Sequence, residues 1–579
     1  MKISKKIISI TIACLCLLFT FKSCSLDEVW YSEVTPDTFF TSRANVLAFK
    51  NRPFTHFRWF VEGDRWLVQE VTTDAFTAPT RDGTHWWDGG AFMYLHHHTW
   101  NPDNGRVWET WRGGTMGIAL ALQTMEVLAD VDYEALGMTN ADREMHLMQL
   151  QVLKAYFYLR LLDAFGGVPV FFATNEQNVP RATDRETFNH IENLLLEAIP
   201  HLPRKTTLGA TEQGIIHQAA AATLLARLYF NAIAYINEDR FADAARVSQR
   251  ILNGEYGAYA LGATWDCVHN FDNERSPEMI WNTPSQNGFL QFSWWYATFN
   301  IVNARDFYDI RNTPRIGNGN NGWCLMPSRD YMGNLLPYRM GGPFERFHDL
   351  DVRKRQYRYL GGGQREGMFV VGELRNPRTG DPVLGGQGMA GQPLTIVDFI
   401  ARPFPWDPQG INHGPMRSTI LDGQENQGIR LAKVPVPNDE SGSALLWGAS
   451  NPIMRLAEVY FMLAESEMRA GNLGRAAELI NTVRARNFEG ADPDPVTAAN
   501  LDSYRMLDEW LIEFLGEGRR RTDLIRWDKF VTRPWWNFTP HNDRTRHRFP
   551  IPQRAITGSG GILEQNPGYD WAIPPQDER

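Results

Sequence analysis

Cysteine and clustered basic charge are both scarce in this 579-residue sequence. Of its five cysteines, Cys14 and Cys16 lie in an apolar run near the N-terminus and Cys24 follows that run directly. Only Cys267 and Cys324 remain further along, and no CxxC motif occurs. Two isolated thiols exclude a disulfide-stapled fold, a zinc ribbon and a dithiol redox motif.

The charge balance and the missing motifs exclude several other functional classes. The net charge is −9, and the one run of arginines, Arg519 to Arg521, is short and closely followed by Asp523, so we expect no nucleic-acid partner. GxSxG and P-loop motifs are absent, and the GxGxxG spacing at residues 317–322 follows no predicted strand. Three consecutive histidines at 96–98 point in different directions and cannot face one metal ion. We therefore expect no cofactor and no metal.

The N-terminus has the layout of a secretory signal. Lys2, Lys5 and Lys6 precede an apolar stretch at residues 7–21, which is shorter than the ~20 apolar residues that span a bilayer. The context around Cys24 resembles a bacterial lipobox, although Lys22 departs from the usual small or aliphatic residue. We expect residues 1–23 to be removed and Cys24 to carry lipid at the cell surface. The alternative is an ordinary cleaved signal with an incidental cysteine.

The rest of the chain divides into two helical parts around a loop-rich middle. Residues 24–254 show helical spacing of apolar side chains from about residue 106 onward, with helices predicted at 185–199 and 215–236 and a helix end at Gly166 and Gly167. The middle, residues 255–450, holds 25 of the 48 glycines and little periodicity. Residues 451–579 return to helical spacing. The prediction is a mainly α protein whose middle region loops out from a helical body.

An internal repeat supports a tetratricopeptide-like packing of the helices. The hexapeptide LARLYF at 225–230 is matched by LAEVYF at 456–461, and Ala-Ala pairs follow at nearly the same distance in both copies, at 244–245 and 476–477. Each copy reads as a helix, a short polar turn and a second helix. A generic helical hairpin would share the spacing without the small-residue crossing. Such units bury their apolar faces only by stacking on one another.

Aromatic residues beside short polar ones suggest a sugar-binding surface. Aromatics make up 12% of the sequence, with 20 tryptophans. Flat indole rings cover the apolar face of a sugar, while carboxylates, amides and guanidinium groups bond its hydroxyls. The alternative for any single tryptophan is core packing. We expect a surface loop around Trp86 to bind the ligand, and we expect loops of the middle region to contribute further contacts. The candidate ligand-binding residues are Asp74, Arg81, Trp86, Trp87, Asp88, Trp100, Asn101, Trp294, Trp295, Tyr296 and Trp323.

Several ordered blocks resemble the SusD/RagB family. They include FGGVP at 165–169, RLAEVY at 455–460, EGRR at 517–520 with DLIRW at 523–527, FPIPQ at 549–553 and QNPGY at 565–569. One departure is DEW at 508–510, where relatives usually have Glu-Arg, which puts a local ion pair in question. The charged members of these blocks, Arg455, Glu458, Glu465, Arg519 and Asp523, are expected to form buried ion pairs rather than an active site.

The resemblance implies a fold, a partner and a function. It implies four tetratricopeptide-like helix pairs, a loop-rich ligand face, an outer-membrane location and a SusC-like TonB-dependent transporter as partner. It implies capture of an oligo- or polysaccharide without catalysis. Two alternatives remain at this point: a RagB-like peptide-binding uptake protein, and a surface glycoside hydrolase that would need two carboxylates at a defined separation in a cleft.

The lipid anchor is directly testable. Changing Cys24 to Ala removes the sulfur that would carry the lipid, so the protein should appear in the soluble fraction instead of the membrane fraction. Metabolic labelling with a fatty-acid probe measures the same event. Label that persists in the Cys24→Ala protein would contradict the assignment.

Overall fold

The computed structural model describes residues 36–209, 215–271, 273–285, 303–310, 321–361, 364–403, 416–434, 436 and 449–569. Cys24 and the predicted signal lie outside these residues. The α-helices, numbered in chain order, are α1 (Pro36–Phe39), α2 (Arg43–Lys50), α3 (Arg52–Phe60), α4 (Asp64–Glu70), α5 (Ala91–His96), α6 (Gly105–Asp130), α7 (Asn140–Phe165), α8 (Asp184–Ala198), α9 (Gln218–Phe230), α10 (Ala232–Ile236), α11 (Phe241–Leu252), α12 (Ala304–Phe307), α13 (Pro343–Arg346), α14 (Leu456–Arg469), α15 (Leu473–Arg484), α16 (Ser503–Phe514), α17 (Arg520–Arg526) and α18 (Gln553–Gly558).

The strands are short and form two-stranded antiparallel sheets within the described residues. The pairs are β1 (Phe76–Thr77) with β3 (Cys324–Leu325), β2 (Met279–Thr283) with β12 (Asn451–Arg455), β4 (Arg358–Gly361) with β5 (Gln364–Glu366), β6 (Phe369–Val370) with β11 (Arg430–Leu431), β7 (Gly372–Glu373) with β8 (Thr395–Ile396), and β9 (Arg402–Pro403) with β10 (Met416–Arg417). The first of these joins the N-terminal part to the middle region, with Phe76 opposite Leu325. Helices therefore carry the architecture, as the sequence predicts.

The helix boundaries follow local signals. Thr139 and Thr183 each cap a helix through a reciprocal box with the acidic residue three positions later, at the starts of α7 and α8. The backbone of Gly166 has a positive φ and ends α7, which confirms the predicted helix end. Glycines also allow helices to approach, because a Cβ at Gly117 of α6 would lie 2.5 Å from the Phe157 ring of α7.

The repeated hexapeptides form equivalent helices, which confirms the repeat. LARLYF lies in α9, which packs on α11, and LAEVYF opens α14, which packs on α15, while α11 packs on α14 and joins the two units. Arg227 and Glu458 occupy the same position in the two copies. Their side chains form a bidentate ion pair with N–O distances of 2.8 and 2.7 Å. This pair joins the two copies of the repeat at equivalent positions.

Buried ion pairs bind distant parts of the chain. Arg455 contacts Glu278, Glu513 and Glu517 at 3.1, 2.8 and 2.8 Å, and all four side chains are largely buried. Glu465 pairs with Arg526 of α17 at 2.8 Å. The expected structural role of the charged family blocks is confirmed.

The remaining charged residues of those blocks are paired as well. Glu458 also accepts from Arg519 at 3.0 Å, and Arg519 reaches Asp523 at 3.1 Å. In the divergent DEW block, Glu509 pairs with Arg484 at 2.8 Å, so an ion pair is present there too.

One expectation about the chain outside the long helices is wrong. Helices α1 to α5 lie before residue 106 and are not visible in the sequence pattern, because they are short and their apolar residues do not repeat over enough turns. The middle region does not simply loop out. It contributes Trp323, Leu325 and Phe369 to the main hydrophobic core and builds a second core around Tyr357, Leu374 and Ile396.

A buried pair between α17 and the N-terminal part offers a stability test. Arg520 contacts Asp74 with N–O distances of 2.7 and 2.9 Å, and both side chains are buried. Changing Arg520 to Met leaves the buried Asp74 carboxylate without its guanidinium partner, so the free energy of unfolding should fall by about 3–5 kcal/mol. Urea denaturation followed by circular dichroism measures this loss.

Two further variants make that test specific. Arg544→Met breaks an exposed pair with Asp528 and should cost less than about 1 kcal/mol. Combining Arg520→Met with Asp74→Asn removes the stranded charge and should recover part of the loss. Equal effects of Arg520→Met and Arg544→Met would contradict the argument.

Candidate functional site

The segment from Val71 to Arg81 is buried throughout and leads into the candidate site. The Asp74 carboxylate accepts from Arg520 and from the backbone N–H of Gly341 at 3.0 Å. Burial alone would raise the pKa of Asp74, but the Arg520 charge and these hydrogen bonds outweigh it and hold the pKa below its ordinary value. The expected surface loop therefore begins only after Arg81, and Asp74 is a structural residue.

Arg81 is the second candidate that the structure places in the interior. Its guanidinium is fully buried and donates to the carbonyl oxygens of Gln424 and Gln427 at 2.6 and 2.8 Å. Burial lowers its pKa. The backbone of Arg81 also pairs with His85 in both directions, at 2.8 and 3.0 Å. Arg81 therefore anchors a tight turn on the middle region and leaves no side-chain surface for a ligand.

Trp100 and Trp323 are core residues, which corrects their assignment as ligand contacts. Trp100 is buried, and its indole N–H donates to the Tyr569 hydroxyl at 2.6 Å. Trp323 is buried between Trp66 and Trp86, with ring centroids 5.5 and 6.0 Å away. Both indoles are surrounded by other aromatic rings, so the alternative of core packing is confirmed for these two tryptophans.

Trp86 and Trp87 lie on a turn whose backbone is held in unusual conformations. Asp82, Trp86 and Asp88 have positive φ angles of 48°, 64° and 44°, which are sparsely populated for residues with side chains. Trp86 is half-buried and packs on Trp323 and on Phe92. A backbone that is strained at three positions of one turn persists only when its surroundings hold it, and such strain is often found at binding sites.

The exposed surface at this turn is an aromatic pair. The side chain of Trp87 is 43% exposed and that of Tyr94 is 37% exposed. Both rings lie beside Gly90, since a Cβ there would be 3.3 Å from the Trp87 ring and 3.1 Å from the Tyr94 ring. The sequence does not predict Tyr94 as part of the site, because Tyr94 follows Trp87 by seven residues and belongs to helix α5. The pattern that could have indicated it is an aromatic residue on a short helix next to two glycines.

We call this pair of residues the aromatic platform (Trp87 and Tyr94), and accessible polar residues lie close to it in the sequence. Asp88 is exposed and forms an ion pair with Arg106, whose guanidinium also lies 5.2 Å above the Phe92 ring. Asn101 is exposed, and its side-chain oxygen accepts from the backbone N–H of Asp103 at 3.0 Å. Of the sequence-predicted residues, Trp87, Asp88 and Asn101 are thus accessible, whereas Trp86 is half-buried and packs on Phe92 and Trp323.

A glycine-rich loop of the middle region is fastened to the same turn. The Glu425 carboxylate accepts from the backbone N–H groups of Gly386, Gln387 and Met389 at 2.7, 2.9 and 2.9 Å. The N–H of Gly388, between them, bonds to Asp82. Burial raises the pKa of Asp82, and the negative charge of Glu425 adds to this effect although the Gly388 N–H opposes it. The loop is therefore positioned by the turn that carries the platform.

Three of the candidate residues, Trp294, Trp295 and Tyr296, lie outside the described residues. Among the residues that are described, no group of three or more histidine, cysteine, aspartate or glutamate side chains is arranged to hold a metal ion. None of the described helices has both the length and the apolar character needed to cross a membrane.

Comparison with known protein families gives two matches in different parts of the chain. A model described as "SusD family" matches residues 409–569, and one described as "Starch-binding associating with outer membrane" matches residues 63–230. Together they cover more than half of the sequence. The second range contains the turn with Trp86 and Trp87, and the first contains helices α14 to α17.

Comparison with individual proteins gives the same family, both by sequence and by fold. The chain is 25% identical over 454 residues to the starch-binding protein SusD of Bacteroides thetaiotaomicron, covering 75% of this chain and 74% of that protein. The fold is similar to that of surface glycan-binding protein A of the same organism in complex with laminarihexaose, with a TM-score of 0.61, 17% identity, and coverage of 91% and 100%. A laminarin-binding SusD-like protein gives a TM-score of 0.60 at 19% identity, with coverage of 91% and 100%.

Proposed function

This chain belongs to the SusD family, and from that premise we propose that it captures an oligo- or polysaccharide at the bacterial surface without cleaving it. The observation that carries the proposal is the aromatic platform, in which the exposed rings of Trp87 on the turn and Tyr94 on helix α5 lie beside the same glycine, Gly90. Ring faces of this kind stack on the C–H face of a sugar, and the Asp88–Arg106 pair, whose carboxylate follows Trp87 directly, can bond its hydroxyl groups.

The anchoring of the platform supports recognition of an extended ligand. Arg81 ties the turn to the carbonyl groups of Gln424 and Gln427, while Glu425 and Asp82 bind backbone N–H groups of the 386–389 loop. Ligand binding therefore need not order the platform and loses little conformational entropy. Both residues of the platform are partly exposed, so a bound chain could extend beyond the two rings. This arrangement favours a polysaccharide segment.

The two alternatives receive less support from the same residues. A peptide site would use extended backbone pairing or a clamp for a terminal carboxylate, whereas the accessible groups here are ring faces with scattered polar side chains. A retaining or inverting hydrolase needs two carboxyl groups facing the sugar. Around the platform, as far as the structure describes it, Asp88 is paired with Arg106, and Asp82 and Glu425 accept backbone N–H groups. The starch- and laminarin-binding relatives are named for binding.

We further propose that Cys24 carries a lipid anchor and that the protein passes its ligand to a SusC-like TonB-dependent transporter in the outer membrane. Family membership supports this partner. Purification in mild detergent through a tag on this protein should recover a β-barrel protein in near-equal amount. Recovery of the tagged chain alone, under conditions in which known pairs stay together, would contradict the partnership.

The glycan site is tested by changing one exposed ring. Trp87→Ala should weaken glycan binding by on the order of 2 kcal/mol, roughly thirtyfold in Kd, because a stacked aromatic anchor is lost. The melting temperature should stay unchanged, since Trp87 is largely outside the core. Trp86→Ala should instead lower the melting temperature, because its ring packs against Trp323. Affinity gels containing laminarin, soluble starch or xylan identify the ligand, and calorimetry then gives the Kd.

Trp59 provides the matched control for this experiment. Its ring is 38% exposed, close to the value for Trp87, but it lies on α3 and stacks on Arg65. Trp59→Ala should leave glycan affinity unaltered. Equal losses in both variants, or none in either, would place the site elsewhere. Shortening of the glycan chain during incubation, followed by mass spectrometry, would contradict a binding-only function.

A further inference from the structure

Two small adjoining cavities lie inside the molecule, where helices α7 and α9 meet strand β12. They enclose about 70 and 50 Å³, and Arg160, Arg227 and Glu517 line both of them. We call the larger one the arginine cavity (lined by Arg160, Arg227 and Asn451 among others). Each of its described lining residues is buried or half-buried, and none belongs to the aromatic platform. A water molecule takes up about 30 Å³, so this cavity has room for about two waters or one small ion.

The carboxylates along these two cavities are already engaged by cationic side chains. Each is shared between two of them: Glu458 between Arg227 and Arg519, Glu517 between Lys433 and Arg455, and Asp523 between Arg519 and Arg526. Arg455 also contacts Glu278 and Glu513, which are shared in turn with Arg486. No carboxylate of the described lining is therefore left to neutralise a further cation.

The pKa values of these carboxylates show that their surroundings are positively charged. Burial alone would raise the pKa of Glu458 and that of Asp523, but the neighbouring guanidinium charges outweigh burial and hold both pKa values below the ordinary ones. His269 adds no charge at neutral pH, since burial lowers its pKa to about 4 although Glu517 opposes this effect. An anion that enters the arginine cavity is therefore attracted.

Arg160 brings a guanidinium group that has no carboxylate partner among the described residues. Its side chain is half-buried on α7 and donates to the Arg65 carbonyl oxygen at 3.4 Å. Asp163, one turn further along α7, accepts instead from Gln69 and Thr522, at 2.5 and 2.6 Å. A guanidinium has five N–H donors, so most of those of Arg160 remain available to a ligand.

Asn451 supplies a second unused group at the same cavity. Its backbone pairs with Thr283 at the start of β12, and the residue is 7% exposed. Its side-chain amide makes no hydrogen bond to any other residue that the structure describes. A buried amide without a partner costs free energy, so this position favours a bound molecule that accepts from its N–H groups.

We infer that the arginine cavity binds a free inorganic oxyanion of the phosphate or sulfate type, held by Arg160 and by the amide of Asn451. A guanidinium offers two parallel N–H groups to an oxyanion, whereas chloride accepts only as a point charge. A cavity of about 70 Å³ takes the free ion and excludes the same group on a sugar or a lipid. The bound ion joins α7 to β12, and the inference does not depend on the proposed glycan function.

Inorganic phosphate is the probe for this site. Calorimetric titration of the purified protein, at an ionic strength fixed with sodium chloride, should show one phosphate bound per molecule. Arg160→Gln should weaken this binding roughly tenfold or more, because a charge-assisted hydrogen bond is lost. Asn451→Asp has nearly the same shape and places a carboxylate in the cavity, so it should abolish phosphate binding by pairing with Arg160 itself.

Arg143→Gln is the matched control. Arg143 also lies half-buried on α7 and donates to a backbone carbonyl oxygen, that of Val131, at 2.9 Å, but it lines neither cavity. Its variant should bind phosphate as the wild type does. Sulfate should compete with phosphate, whereas glucose 6-phosphate, which carries the same group on a sugar, should not. Absence of phosphate binding to the wild type, equal losses in the Arg143 and Arg160 variants, or competition by glucose 6-phosphate would overturn the inference.

Discussion

Pairing of buried arginines with carboxylates from distant segments is the constraint on which this structure depends. Arg455 brings together three carboxylates from β2's flank and from the region of α16, and Arg227 joins the two repeat copies through Glu458. A buried charge that loses its partner lowers the free energy of unfolding by several kcal/mol, so the fold is stable only when these groups are paired. Apolar packing alone would allow the helices to slide, whereas bidentate guanidinium contacts fix their register.

The same constraint places the candidate glycan surface. Asp74 is held by Arg520 of α17, and seven residues later Arg81 is held by carbonyl groups of the middle region. The chain between them is buried, so the turn that follows leaves the interior at a defined point and in a defined direction. The positive φ angles at Asp82 and Trp86 are the local cost of that sharp exit. The buried contacts with the helical scaffold therefore fix the position of the ligand surface.

The sequence predicts the helical fold well and the site only in part. Helices α7 and α8 are visible from periodicity, and the repeat predicts the packing of α9 on α11 and of α14 on α15, because both signals are local or duplicated patterns. The difference between Trp87 and Trp100 is not local. Both stand beside short polar residues, and only the tertiary partners Tyr569 and Phe549 turn Trp100 into a core residue. Asp74 and Arg81 were misassigned for the same reason, since their partners lie hundreds of positions away.

The geometry of the aromatic platform suits a long glycan better than a single sugar. A pair of exposed rings offers a modest contact area, so its affinity for one sugar stays limited. A long glycan gains affinity by engaging several copies of the protein at once, because each further contact is made at a high local concentration. Limited affinity at each platform also favours rapid release, since differences in affinity lie mostly in the dissociation rate.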